Sequence, residues 1–180
     1  MMMFFRESLR FIITHLLEKD YKIHRPIVEE ILKSEYHELF SANCDSLLNE
    51  DVQNKLEKLI SFIVQYYAGV RRSVKKEVVK SPVSATLVTK ILMGTLGCVP
   101  SYDEYFVKGI KKKEVARGTF NLKSIAELAK LYKGNYDEFE MVRQKLWVKD
   151  VKYPQMKLLD MGFWQIGKEA KEEKKMEDKV

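Results

Sequence analysis

The side chains of this sequence best placed by type and spacing to do chemistry are cations. Between Arg71 and Arg117 stand eleven basic residues, Arg71, Arg72, Lys75, Lys76, Lys80, Lys90, Lys108, Lys111, Lys112, Lys113 and Arg117, against the four acids Glu77, Asp103, Glu104 and Glu114. That local surplus of +7 exceeds the net charge of the whole chain, +6, so the rest of the sequence is close to neutral. Concentrated positive charge is the footprint of a phosphate-binding face. Part of it has a structural use as well, because Arg71, Arg72, Lys75 and Lys76 follow a long helical stripe whose C-terminal dipole favours cations.

Two carboxylates and one turn complete the inventory. The segment Leu92–Asp103 carries Gly97 and Pro100 between two helical stretches. The spacing predicts a helix starting at Ser101, with Asp103 and Glu104 in its first turn, and free backbone N–H groups at such a start bind anions. Asp160 falls on a helical wheel between Met156 and Phe163 on one side and Trp164 on the other. A carboxylate at the edge of an apolar face needs a partner, either a hydrogen bond or ion pair that locks the helix or a role as an acid facing a pocket. Asp103 and Asp160 are therefore the candidate catalytic residues. No residue pattern asks for a metal or a cofactor: Cys44 and Cys98 form no C-x-x-C pair and read as buried thiols. His15, His24 and His37 are scattered, and the glutamates at 29, 30, 35 and 38 lack an opposing acidic helix.

The turn from Leu92 to Asp103 resembles the helix-hairpin-helix module of DNA-binding proteins and DNA glycosylases. Gly97 and Pro100 match the first glycine and the following position that is often proline, while Val99 stands where that family has its second glycine. The resemblance implies phosphate contacts at Gly97 and Ser101; the glycosylases' catalytic aspartate has no counterpart some twenty residues on. Residues 88–106 and 153–167 are similar to segments of an uncharacterised bacterial all-helical protein family, a likeness that implies no activity. Arg10 and His15 fit the R-x4-H spacing of HEPN-type ribonucleases, with Phe11 at a place those proteins usually give to a polar residue.

The elements that must position these residues are helices, since the apolar period is close to 3.6 nearly throughout. A first helix is expected over 2–19, with Phe5, Leu9, Ile12 and Leu16 on one face, and a second after Pro26. Val52, Leu56, Leu59, Ile60, Ile63, Tyr67 and Val70 form a long stripe. Ser84 can cap a helix whose only charge is Lys90, and which belongs in the middle of the fold. Tyr102, Tyr105, Phe106 and Ile110 make the buried side of the next. Ile125, Leu128, Ala129 and Tyr132 define another, closed by Gly134 and Asn135, and Phe139, Val142, Leu146 and Trp147 a further one. The last begins near Pro154, with Met156, Leu159, Phe163 and Ile166 as its stripe. The expectation is an all-α, irregular globule of eight to nine helices. One domain covers 1–167, and 168–180 is a frayed charged tail.

At 180 residues and 46% apolar content the chain can bury a core without disulfides or metals. Arg6, Glu7 and Arg10 interrupt the apolar start of the sequence, which reads against a signal peptide. No stretch approaches the ~20 apolar residues that span a bilayer. The reading is a cytoplasmic protein with nucleic acid as partner and no membrane, gripping phosphates with Arg71, Arg72, Lys75 and Lys76 and with Lys108, Lys111, Lys112, Lys113 and Arg117, and with the turn at Gly97 and Ser101. The alternative is a non-enzymatic protein–protein interaction module, a homodimer, using the nine Tyr, nine Phe and two Trp for its interface. A small helical hydrolase built on Asp103 or Asp160 is a third possibility.

Overall fold

The computed structural model describes residues 21–74, 82–147 and 152–177. The expected first helix, Arg10 and His15, and the cations Lys75, Lys76 and Lys80 lie outside the described residues. Among those described there is no strand. The elements are α1 (Arg25–Ile31), α2 (Glu50–Val74), α3 (Ala85–Thr95), α4 (Glu104–Lys112), α5 (Leu122–Gly134), α6 (Tyr136–Gln144) and α7 (Gln155–Glu177), with 3₁₀ segments at Tyr21–His24, Ser34–Ser41 and Ser46–Leu48. The protein is all-α, as its apolar period predicts.

Local signals account for most boundaries. Pro26 sits in the first turn of α1, where its missing N–H costs nothing. Ser84 caps α3 by accepting the Leu87 N–H, and Asn121 caps α5 by accepting that of Ser124. Val52, Leu56, Leu59, Ile63 and Tyr67 of α2 are all buried, as are Ile125, Leu128, Ala129 and Tyr132 of α5. Gly97 ends α3 with φ 68°, a conformation glycine adopts without strain, and its N–H closes onto the Leu92 carbonyl. A Cβ on Gly97 would stand 2.8 Å from Cγ of Pro154, so the turn is packed beneath the entry to α7.

Four expectations are corrected. α4 starts at Glu104 with Asp103, not Ser101, at its cap: the Asp103 carboxylate accepts the Phe106 N–H at 3.1 Å. α3 is less enclosed than its composition suggests, with Val88, Thr89 and Leu92 buried but Gly94 and Thr95 exposed. α6 turns Glu140 inward and leaves Val142 exposed, for a reason given below. The last helix does not stop at Gly167; it continues to Glu177, because residues beyond Gly167 are bonded to α4.

The most extensive helix pairing in the described fold is α4 against α7. It is a backbone-to-backbone crossing. A side chain at Gly109 would overlap the Phe163 carbonyl, and one at Gly167 would overlap that of Tyr105. Only glycine permits so close an approach. Phe106 meets Phe163 edge-on at 6.0 Å on the buried side of the crossing.

Candidate functional site: the α4–α7 crossing and the turn beneath it

Two segments far apart in sequence, 88–106 and 153–167, come together here. The Ser101 N–H donates to Oδ1 of Asp160 at 2.8 Å, and the Lys157 ammonium donates to Oδ2 at 3.1 Å. Next to it the Tyr102 N–H donates to the Thr89 hydroxyl, 2.9 Å, and the Thr86 hydroxyl donates to the Tyr102 carbonyl, 2.9 Å. The turn is thus held from both sides, by α3 and by α7. Ser101 is only 2% exposed, and its hydroxyl has no hydrogen-bond partner among the described residues. Lys90 of α3 approaches the Asp103 carboxylate at 3.8 Å. Burial pushes the Asp160 carboxyl above the ordinary aspartate range; Lys157 and the Ser101 amide pull it back only in part, and the Asp103 charge adds to the rise.

Both candidate acids accordingly have structural work in this arrangement: Asp103 caps α4 and Asp160 ties α7 to the turn. Gly97 and Ser101 are enclosed, with the Ser101 amide committed to Asp160. Among the described residues no group of three or more His, Cys, Asp or Glu side chains is placed to hold a metal ion. No helix among them is long and apolar enough to cross a membrane. Both cysteines are buried, and burial pushes each thiol up to about 12, away from thiolate chemistry.

The outer side of the crossing gathers cations. Lys108 bonds Glu104 at 2.9 Å, Lys171 of α7 bonds the same Glu104 oxygen at 2.8 Å, and Lys112 bonds Glu173 at 2.8 Å. Hydrogen bonds from Lys108 and Lys171 hold the Glu104 carboxyl below the ordinary glutamate range. Tyr105 and Trp164 meet edge-on across the helices at 5.2 Å. Lys171 lies 5.1 Å over the Tyr105 ring and Lys168 5.7 Å over the Trp164 ring. In the last turn of α4 and just past it, Lys111, Lys113 and Arg117 are exposed. Arg71 is placed differently: it is partly buried at the end of α2, its Nη1 donates to the Pro82 carbonyl at 2.9 Å, and burial lowers its pKa. Arg72 is exposed.

The sequence reading missed Lys157, Thr89 and the contribution of Lys168 and Lys171. Those last two repeat at i and i+4 or i+7 from Trp164, a signal hidden by the run of Lys and Glu around them. Comparison of the chain with family models, with curated proteins and with solved structures finds no match.

Proposed function

We propose that this chain is a nucleic-acid-associated helical protein that binds phosphates through α4, the turn that follows it, and the adjoining stripe of α7. The observation that carries this reading is the convergence at the α4–α7 crossing. Lys108, Lys168 and Lys171 share one network with the Tyr105–Trp164 pair and Glu104, and Lys112 pairs separately with Glu173 across the same two helices. Lys111, Lys113 and Arg117 extend the charge into solvent. Paired lysines still serve, since an exposed ion pair contributes at most about 1 kcal/mol and exchanges readily for a phosphate. The turn at Gly97 and Ser101 supports α4 from below in this reading and makes no phosphate contact of its own.

The test is a salt titration of binding to unspecific DNA and RNA. Each phosphate contact contributes a slope of about −0.9 on duplex DNA or about −0.7 on single strands in log affinity against log salt. Replacing Lys111, Lys113 and Arg117 together by Gln should flatten the slope with helicity unchanged. A control triple at Lys58, Lys130 and Lys145 removes equal charge from exposed positions of α2, α5 and the end of α6 and should leave the slope as it is. No binding at low salt, or equal losses from the two triples, overturns the reading.

One observation favours the homodimeric interaction module instead. Met141 and Val142 are adjacent and exposed on α6, Met141 at 56%. Sedimentation of the wild type against Met141→Glu separates the two: a dimer that dissociates in the variant, with no salt-dependent nucleic-acid binding, makes the module the better reading.

A further inference from the structure

We infer that Tyr105 and Trp164 form a stacking platform for unpaired bases, so that the nucleic acid this face takes is single-stranded. The inference rests on the phosphate-binding reading above and deepens it. Three features of the crossing lead to it. First, Trp164 is a large aromatic ring only half-buried on a helix whose neighbouring ring, Phe163, does the core packing. Second, the two rings are held by the fold: Gly109 and Gly167 bring the helix backbones together, and the edge-on contact at 5.2 Å fixes one ring against the other. Third, the cations are in register with the rings. Trp164, Lys168 and Lys171 lie at i, i+4 and i+7 on α7, while Tyr105, Lys108 and Lys112 lie at i, i+3 and i+7 on α4. Each stripe spans about 10 Å along its helix axis.

Aromatic rings flanked by cations on one face are what a single strand needs. Its bases are free to stack on aromatic faces while its phosphates meet lysines, and the stacking tolerates any base. A duplex hides its base faces and could use only the lysines. A peptide of acidic residues could also use the lysines but has no aromatic face to set against Trp164. The lysines now over the two rings, Lys168 and Lys171, would swing onto phosphates as bases take their places, a side-chain motion that breaks no helix.

The experiment uses the full chain with Trp147→Phe, which leaves Trp164 as the sole tryptophan. A short oligothymidylate, a duplex of the same length and polyglutamate are titrated separately at low salt. Saturable quenching of Trp164 emission by the oligothymidylate, with little change from the other two, is the expected result. Trp164→Ala should then weaken oligothymidylate binding about tenfold or more, keep its salt slope, and change duplex binding less than twofold. Trp164→Phe, which keeps a ring, should recover most of the loss and so answers for any effect on folding. If the oligothymidylate binds with a steep salt slope but leaves Trp164 emission and the Trp164→Ala affinity unchanged, the platform is overturned and the basic face survives. Equal quenching by duplex or by polyglutamate overturns it too. If no nucleic acid binds, both fall.

Discussion

Glu140 on α6 and Asp160 on α7 are buried to nearly the same degree, 8% and 6% exposed, yet their carboxyls shift in opposite directions. Glu140 accepts from Arg143 Nε at 3.0 Å and Nη2 at 2.6 Å, from the Tyr132 hydroxyl at 2.9 Å and from the Gln155 amide at 2.8 Å. Burial alone would raise its pKa, but the bonds from Arg143, Gln155 and Tyr132 outweigh it and hold the group below the ordinary glutamate value. Asp160 has one backbone amide and one half-exposed lysine, and there burial wins. The number and charge of the donors, set against how deeply each carboxyl lies in the protein, decide which carboxylate is a settled anchor and which is left above its ordinary range. The Glu140 cluster also joins four parts of the chain. Gln155 accepts the Cys44 N–H at 2.7 Å, and Arg143 Nη1 donates to the Tyr153 carbonyl at 2.8 Å.

The hardest test of this contrast is to leave Glu140 without its cation. Arg143→Ala should cost about 3–5 kcal/mol, because a buried carboxylate then loses its counter-charge. For a chain of this size that is a fall in melting temperature of roughly 6–20 °C. A loss below about 1 kcal/mol would mean that water reaches Glu140 and that the cluster is no anchor.

Smaller and more discriminating are the isosteric pairs. Glu140→Gln keeps an acceptor for Tyr132 and Gln155 but leaves the Arg143 guanidinium buried without its partner, at a cost of about 2–3 kcal/mol. Asp160→Asn keeps an acceptor for the Ser101 N–H and removes a charge that the site disfavours, so it should cost less than about 1 kcal/mol, while Asp160→Ala, which orphans that N–H, should cost about 1–3 kcal/mol. Equal losses in the two isosteric variants would erase the distinction.

The pH dependence should carry opposite signs for the two groups. The Glu140 carboxyl lies below its unfolded value of 4.5, so its contribution is complete above that pH and is lost as pH falls through the folded value. The Asp160 carboxyl lies above its unfolded value of 3.8. Its contribution is greatest at lower pH, where both states are protonated, and declines as pH rises from 3.8 through the folded value. Chemical denaturation of the wild type and the two isosteric variants at a series of pH values measures this. The advantage of the wild type over Glu140→Gln should shrink on acidification, and its standing against Asp160→Asn should improve. Parallel curves would break the comparison.

Much of the architecture was legible because it is local. The stripe from Val52 to Tyr67, the caps at Ser84 and Asn121 and the buried face of α5 follow from spacing and side-chain chemistry over a few residues. What was not legible depends on partners distant in sequence. Ser101 and Asp103 are both good caps by type; Asp103 takes the position by accepting the Phe106 N–H, while Ser101 sits in the turn with its N–H bonded to Asp160, 59 residues away. Local periodicity placed Val142 on the core side and gave no sign of an inward Glu140, since besides Arg143 at i+3 the carboxylate depends on Tyr132 and Gln155 on other elements. Composition made 168–180 a tail, whereas Glu104 and Lys112 of α4 hold Lys171 and Glu173 in an ordered helix. The basic cluster itself was plain in the sequence, but its junction with the α7 lysines needed the glycine crossing to be seen.

The smallest expected effect concerns the one hydroxyl in the Asp160 region that the hydrogen bonds leave aside. Ser101 gives its N–H to Asp160, and that bond survives replacement of the side chain. Its Oγ is buried with no partner among the described residues, so folding removes it from water without return. Desolvating such a group costs about 1–3 kcal/mol, and Ser101→Ala recovers only part of it, because the packing around the oxygen is lost at the same time. The variant should therefore melt at the wild-type temperature or slightly above it, and Asp160→Ala should cost as much in its background as in the wild type, because amide and hydroxyl act separately. A loss of more than about 1 kcal/mol from Ser101→Ala would show that the hydroxyl is bonded in solution. Were Asp160→Ala then also to cost less in the Ser101→Ala background, that bond would fall on Asp160, which would have a further donor and stand closer to Glu140.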